Sequence, residues 1–205
     1  MAKIIGISGS TRKNATDYAL QESLKAAAEI DGIETEFFSV RGKTINGCIH
    51  CDRCIKENYM GCLVYKDDDM DEIYHRCLEA DGLIVASPVF EMGISPQLSA
   101  FFSRFRSMYN VLKKDPEAYG KVVGGAIAAG GTRNGGQEMT IACIHNFFHT
   151  QGCVVTGGAL GVYAGASVWT QDNRKFNDDV DPIGCENARK LGRKVAKTVL
   201  KMSAE

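Results

Sequence analysis

The chain reads as an α/β protein built on a doubly wound, five-stranded parallel sheet. Short apolar runs alternate with stretches of helical periodicity along its whole length, and that alternation specifies parallel strands covered by helices on both faces. Three of the strand-to-helix loops, after the first, third and fourth strands, are rich in Gly, Ser, Thr and Pro. In an open parallel sheet such loops emerge together at the C-terminal strand ends, where ligands bind.

A chain of 205 residues that is 44% hydrophobic and 24% charged can bury a substantial core. One domain over residues 1–205 is expected, decorated by a cysteine-rich loop at about 45–66, after the second strand, and an irregular extension at about 157–182. The net charge of -1 gives no footprint for nucleic acid or an anionic membrane. There is no apolar run of about eighteen residues, and the N-terminus opens a strand instead of a signal peptide, so a cytoplasmic protein is expected. In that reducing setting the 8 cysteines are not expected to form disulfides.

Residues 3–8 form a short apolar run closed by a turn, the pattern of a buried parallel strand. The loop Gly9-Ser-Thr-Arg-Lys-Asn-Ala-Thr16 follows, and then Tyr18, Leu20, Leu24, Ala27 and Ala28 recur at helical spacing. Free N–H groups at a helix start, the hydroxyls of Ser10, Thr11 and Thr16, and the charge of Arg12 suit a phosphate. The loop matches neither G-x-G-x-x-G nor G-x-x-x-x-G-K-[ST], which disfavours a dinucleotide fingerprint and an ATP-type P-loop. Residues 32–40 alternate as a second strand whose polar side chains place it at a sheet edge. Asp69 and Glu72 form a capping-box pattern ahead of Ile73, Cys77 and Leu78. Residues 82–86 are unbroken and apolar, hence a central strand.

Ser95 with Pro96 predicts a helix start. Leu98, Phe101, Phe102, Phe105, Tyr109 and Leu112 then form one apolar face, most of it core, with ring surface left for a subunit boundary. Residues 122–129 are the fourth strand, followed by a glycine-rich loop over 130–136 and a helix through Met139, Ile141, Ile144, Phe147 and Phe148. Residues 153–156 are the fifth strand. Asp181 and Pro182 open a closing basic helix over Ala188, Leu191, Val195 and Leu200.

Between the second strand and the next helix lie Cys48, Cys51, Cys54 and Cys62, spaced C-x2-C-x2-C-x7-C. Such a triplet lets one tight loop turn three sulfurs toward a common centre, and the fourth closes a four-coordinate site. That is the ligand logic of an iron–sulfur cluster. Zinc is more often clamped between two separate C-x2-C pairs or by Cys with His, and a structural zinc stays open as the alternative. His50 lies inside the motif, but four thiols already complete the set. Cys77, Cys143, Cys153 and Cys185 read as small buried apolar residues, Cys185 near a helix start that would lower its pKa. His145 and His149 share a helical face but lack the carboxylate of a zinc helix, and read as a packed pair or as surface residues. The acids over 67–71 read as first-turn charges complementing a helix dipole.

The loops over 8–16, 87–98 and 130–136 resemble the FMN-binding loops of flavodoxin-like NAD(P)H-dependent FMN reductases. With Cys48, Cys51, Cys54 and Cys62 after the second strand, the chain is similar to the iron–sulfur flavoprotein family of anaerobic archaea and bacteria. The resemblance implies a flavodoxin-like fold, FMN, a 4Fe-4S cluster on those four cysteines, and a homodimer or homotetramer with its cofactors near subunit boundaries. It places Ser10, Arg12, Asn14 and Thr16 on the phosphate loop, Pro88, Val89, Phe90, Met92 and Gly93 along the isoalloxazine, and Gly130, Gly131, Thr132, Arg133 and Gly136 on the third contact loop. Two departures stand out. The first loop is one residue shorter than the Ser-Pro-Arg pattern, leaving Asn14 and Thr16 as alternatives for the phosphate contact, and Phe90 stands where tyrosine is frequent.

FMN accepts two electrons or one, whereas such a cluster accepts one, so a chain holding both converts between the two kinds of partner. No catalytic side chain is expected. The expected function is electron transfer from a ferredoxin-type donor through the cluster to FMN, and on to a small-molecule acceptor. The alternatives are an NAD(P)H-dependent FMN or quinone reductase with a structural metal site, and a non-enzymatic redox sensor. Because the cysteine loop leaves the same sheet end as the flavin loops, the two centres are expected to be neighbours.

Overall fold

Strands and helices alternate as the periodicity predicts. In a computed structural model, which describes residues 1–157 and 159–204, the order is β1 Ala2–Ser8, α1 Ala15–Ala28, β2 Ile33–Ser39, α2 Arg53–Lys56, α3 Met70–Leu78, β3 Gly82–Pro88, α4 Pro96–Ser103, a 3-10 segment Arg104–Met108, α5 Tyr109–Leu112, β4 Val123–Gly130, α6 Gln137–Thr150, β5 Val154–Val155, β6 Ala166–Trp169 and α7 Pro182–Ser203. Gly158, inside the expected extension, and Glu205, at the expected end of the domain, lie outside the described residues.

The strand order is β2-β1-β3-β4-β5, every pairing parallel. This is the flavodoxin-like order, with its switch point between β1 and β3. β2 is at the edge, as its polar residues predict. The fifth position is filled twice. Val123 and Gly124 of β4 pair with β5, whereas Ile127–Gly130 pair with β6. The extension expected to be irregular thus returns a strand to the sheet. Its signal is faint: Ala166 and Val168 are buried on either side of exposed Ser167, the alternation of a strand only four residues long. The chain re-enters at Gly165, where a Cβ would lie 2.5 Å from the Ala126 carbonyl oxygen.

Alternation along the strands divides the core. Ile4, Ile84 and Ile127 meet Leu20 and Leu24 of α1 and Leu191 and Val195 of α7 on one face. Ile5, Ile7, Leu83 and Val85 meet Ile73 of α3, Phe101 of α4 and Phe148 of α6 on the other. Burial of this kind contributes about 25 cal/mol per Å² of apolar surface.

Two local expectations are corrected. Asp69 occupies the N-cap of α3 but makes no capping bond. Its carboxylate instead accepts the Thr44 N–H at 2.6 Å, and Asp68 takes the Met70 N–H at 3.3 Å. The helix expected from Ser95 onward tightens to a 3-10 turn at Arg104, where that side chain is drawn inward. Three residues per turn carry the following residues off the buried stripe, so Phe101 and Phe105 are buried while Tyr109 is 50% exposed. Among the described residues no helix is long and apolar enough to cross a membrane.

Candidate functional site

The loops after β1, β3 and β4 meet at the C-terminal strand ends and are fastened to one another. Ser95 Oγ donates to the Gly9 carbonyl at 2.7 Å and accepts the Leu98 N–H at 3.2 Å, which caps α4. Its own N–H donates to Ser87 Oγ at 3.0 Å. Thr140 Oγ1 reaches the Gly93 carbonyl at 3.0 Å, and a Cβ on Gly136, at φ 108, would lie 2.8 Å from Met92 Cα. The third loop can approach the second so closely only with glycine there.

In the first loop, Ser10 Oγ donates to the Arg12 carbonyl at 2.8 Å and accepts the Arg12 N–H at 3.1 Å. Ser10 therefore shapes the loop. Asn14 stands at the N-cap of α1 without a capping bond. Its amide donates to the Asn173 carbonyl at 3.0 Å and its oxygen accepts the Phe176 N–H at 3.2 Å, so both side-chain groups are spent on a segment over 173–176. Among the described residues, the N–H groups of Lys13, Asn14, Ala15 and Thr16 have no protein acceptor. Open donors on the positive end of a helix form an anion cradle. Between the alternatives for that contact, the geometry leaves Thr16 and these N–H groups free and occupies Asn14.

In the second loop, Val89 continues the ladder through its N–H to the Ala129 carbonyl at 2.9 Å. Phe90 and Gly93 then exchange both backbone bonds, at 2.9 and 2.7 Å, around Glu91 at φ 46 and Met92 at φ 62. Positive φ at both central residues is the mark of a type I′ hairpin, normally built from Asn and Gly. Phe90 and Met92 are 43% and 60% exposed, and Met92 lines the cleft beside the third loop. In the third loop, Gln137 accepts the Gly135 N–H at 2.8 Å and donates to the Thr132 carbonyl at 2.7 Å. Trp169 Nε1 donates to the Gly131 carbonyl at 2.9 Å, and the Arg133 guanidinium lies 4.4 Å from the centre of the Trp169 ring. Beside this loop opens a cleft of about 570 Å³ lined by Met92, Arg133, Gln137, Met139, Trp169 and Ile183. Trp169 and the 173–176 segment were not anticipated as site residues; the chain's single tryptophan at the end of a glycine-rich stretch was the available signal.

The cysteine loop leaves β2 at that same sheet end, but it then runs along α4 and the helical turns after it. Ser103 Oγ accepts the Cys48 N–H at 2.9 Å, Arg106 pairs with Asp52 at 2.8 Å, and Asn110 Nδ2 donates to the Cys54 carbonyl at 3.0 Å. Ser103, Arg106 and Asn110 thus meet the loop in succession along α4, the 3-10 segment and α5. The anchors of the loop run from Ser103, eight residues after Ser95, to Asn110, fifteen residues after it. Within the loop, His50 at φ 55 and Asp52 at φ 56 put one left-handed residue between each pair of successive cysteines, winding the triplet tightly. The N–H of His50 points to Cys48 Sγ at 3.3 Å and that of Tyr65 to Cys62 Sγ at 3.4 Å. Burial pushes the Cys54 thiol up, and the charges of Cys48, Cys51 and Cys62 add to the rise. Among the described residues no three His, Cys, Asp or Glu side chains form a group that would hold a single metal ion. Four sulfur donors on one loop, two of them already receiving N–H bonds, fit a thiolate-bound centre by donor chemistry.

The remaining cysteines stand apart. Cys77 and Cys185 are buried, while Cys143 and Cys153 are half-buried. Burial and the neighbouring Asp178 carboxylate push Cys185 up to about 12, against the lowering expected from a helix start. His145 and His149 do form a pair, their ring centres 6.5 Å apart.

The sequence profile described as NADPH-dependent FMN reductase matches residues 2–166. An iron–sulfur flavoprotein of Archaeoglobus fulgidus is 40% identical over 97% of this chain and 98% of its own. One from Methanocaldococcus jannaschii is 42% identical over 96% and 97%. The chain belongs to the iron–sulfur flavoproteins of the FMN reductase family. Among solved structures, this flavoprotein fold is shared with a flavone reductase at TM-score 0.71 and 21% identity, covering 98% of this chain and 64% of that one. It is shared also with an NADH:FMN oxidoreductase at TM-score 0.67 and 17% identity, covering 100% and 92%. The family is one of oxidoreductases.

Proposed function

We propose that this flavoprotein passes electrons from a one-electron donor of ferredoxin type, through a 4Fe-4S cluster on Cys48, Cys51, Cys54 and Cys62, to FMN in the three-loop crevice, and from there to a small-molecule acceptor. One observation carries the reading: a single chain carries both a helix start with open N–H donors among its glycine- and serine-rich loops and one loop bearing four cysteines. The crevice fits FMN in parts. Lys13 to Thr16 offer donors to a phosphate, Phe90 and Met92 offer apolar contact to a flat ring, and the 130–136 backbone closes the far side. A cluster supplies one-electron steps and a flavin couples them to two-electron chemistry, while the protein sets position and potential. The reading includes the dimer or tetramer, with cofactors near its subunit boundaries, that the family resemblance implies.

The family profile, described as NADPH-dependent FMN reductase, supports a second reading in which NADPH reduces the flavin directly and the thiol loop holds a structural metal. Protein purified without air separates the two. Iron and acid-labile sulfide together with FMN, and loss of the iron in Cys54→Ala with FMN retained and ferredoxin-driven reduction slowed, support electron entry through the cluster. Zinc in place of iron, or flavin bleaching by NADPH at full rate in Cys54→Ala, supports the second reading.

A further inference from the structure

Among the described residues, the most buried ion pair joins two side chains that neither site uses directly. The side chains of Arg104 and Asp68 are 2% and 3% exposed. Arg104 Nη1 donates to Asp68 Oδ2 and, at 3.1 Å, to the Asn46 carbonyl, and Nη2 donates to the Tyr65 carbonyl at 3.3 Å. Asp68 Oδ2 also accepts the Asn46 N–H at 3.0 Å and the Asn46 side-chain amide at 3.3 Å. The guanidinium lies 5.6 Å from the centre of the Tyr65 ring. Asn46 stands just before Cys48 and Tyr65 just after Cys62, so one guanidinium holds both ends of the cysteine loop.

Burying two charges is costly, and packed apolar side chains would fill the same space at least as stably. A requirement for position explains the pair better than a requirement for stability. Lysine delivers its charge from a single nitrogen, whereas the arginine fork reaches the carboxylate and two carbonyls at once. The anchor sits where α4 tightens into its 3-10 turn, one residue from Ser103, which holds Cys48 N. Loop ends and cysteine backbone are thereby fixed to the same helical turn.

We propose that Arg104 and Asp68 are positioning residues for the cluster: they gather the four thiols before the metal arrives and hold them around it afterward. The proposal rests on the cluster reading above. Its test compares the wild-type flavoprotein with Arg104→Met/Asp68→Leu, which removes both charges and fills the space, and with Arg104→Lys, which keeps the ion pair and loses the fork. Each is reconstituted with ferrous iron and sulfide without air, then exposed to a chelator, while FMN content and thermal midpoint are read on the same samples. In the double variant, FMN content should stay near wild type and the midpoint should fall only slightly, because the N–H groups of Asn46 and Met70 lose their acceptor, while cluster retention should fall by about tenfold to a hundredfold, the scale for outer partners of metal ligands. Arg104→Lys should fall between the two. Wild-type uptake and retention in either variant would overturn the proposal, and so would a parallel loss of iron, FMN and thermal midpoint, which marks a general structural role. Wild-type protein that takes up no iron or sulfide sinks the cluster reading itself, a result distinguishable from all of these.

Discussion

Asp17 and Arg41 tie the root of the cysteine loop to the underside of the loop after β1. The Asp17 carboxylate, 2% exposed in the first turn of α1, accepts the Ser8 hydroxyl at 2.5 Å and the Arg41 guanidinium. A buried carboxylate beside an anion cradle is tolerable only while a cation neutralises it. Arg41→Met should weaken FMN binding by about 1–2 kcal/mol, roughly five- to thirtyfold in Kd, because the unpaired charge then faces the phosphate. Adding Asp17→Asn should restore most of the loss. Fluorescence titration of FMN into the single and double variants checks this, and equal weakening in both would rule out the electrostatic cause.

Ser95 holds two loops with one hydroxyl. Ser95→Ala should cost about 1–2 kcal/mol, the range for a lost helix cap, with further weakening of FMN as Gly9 loses its anchor. Denaturant unfolding with and without FMN measures both effects. An unchanged midpoint would show that water replaces the hydroxyl without penalty.

The Glu91–Met92 turn carries two residues in a backbone conformation that L side chains avoid. Glu91→Asn/Met92→Gly should stabilise the flavin-free protein by about 1–2 kcal/mol. The same change removes the exposed Met92 side chain, so FMN affinity should fall while stability rises. Thermal unfolding beside FMN titration reads the two opposite signs, and a destabilised double variant would refute the turn geometry.

Asp68 gives the fold a defined acid limb. Burial works against its charge, yet the Arg104 hydrogen bond and the Asn46 N–H hold the carboxyl below the usual carboxylate range. A depressed folded pKa contributes stability that is fully present above the unfolded value of about 3.9 and is lost as pH falls through the folded value. Below about pH 4, Arg104→Met/Asp68→Leu should therefore lose stability less steeply than wild type. Unfolding midpoints measured from neutral pH downward give the two slopes.

Much of this was legible from local chemistry. The unbroken run of β3 and the polar edge of β2 gave the sheet, Ser95 with Pro96 gave a helix start, and the cysteine spacing marked the thiol loop. What escaped was decided at long range. The bond between the Asn14 side-chain oxygen and the Phe176 N–H spans 162 residues and has no local signal. Asp68 looked like one acid in a run until Arg104, 36 residues on, turned inward to meet it. β6 escaped because four residues of alternation inside a glycine-rich stretch do not outweigh the expectation of a loop.

Most anchors of the cysteine loop grip its backbone: Cys48 N, the Cys54 carbonyl, and the Asn46 and Tyr65 carbonyls at its ends. The side chains it turns outward, Ile49, Tyr59 and Val64 at 59%, 39% and 39% exposure, carry none of that holding. Shape and outer face are therefore written by different residues. A lineage can exchange these outer residues to meet a new redox protein while the thiols stay where they are, and a designer can do the same.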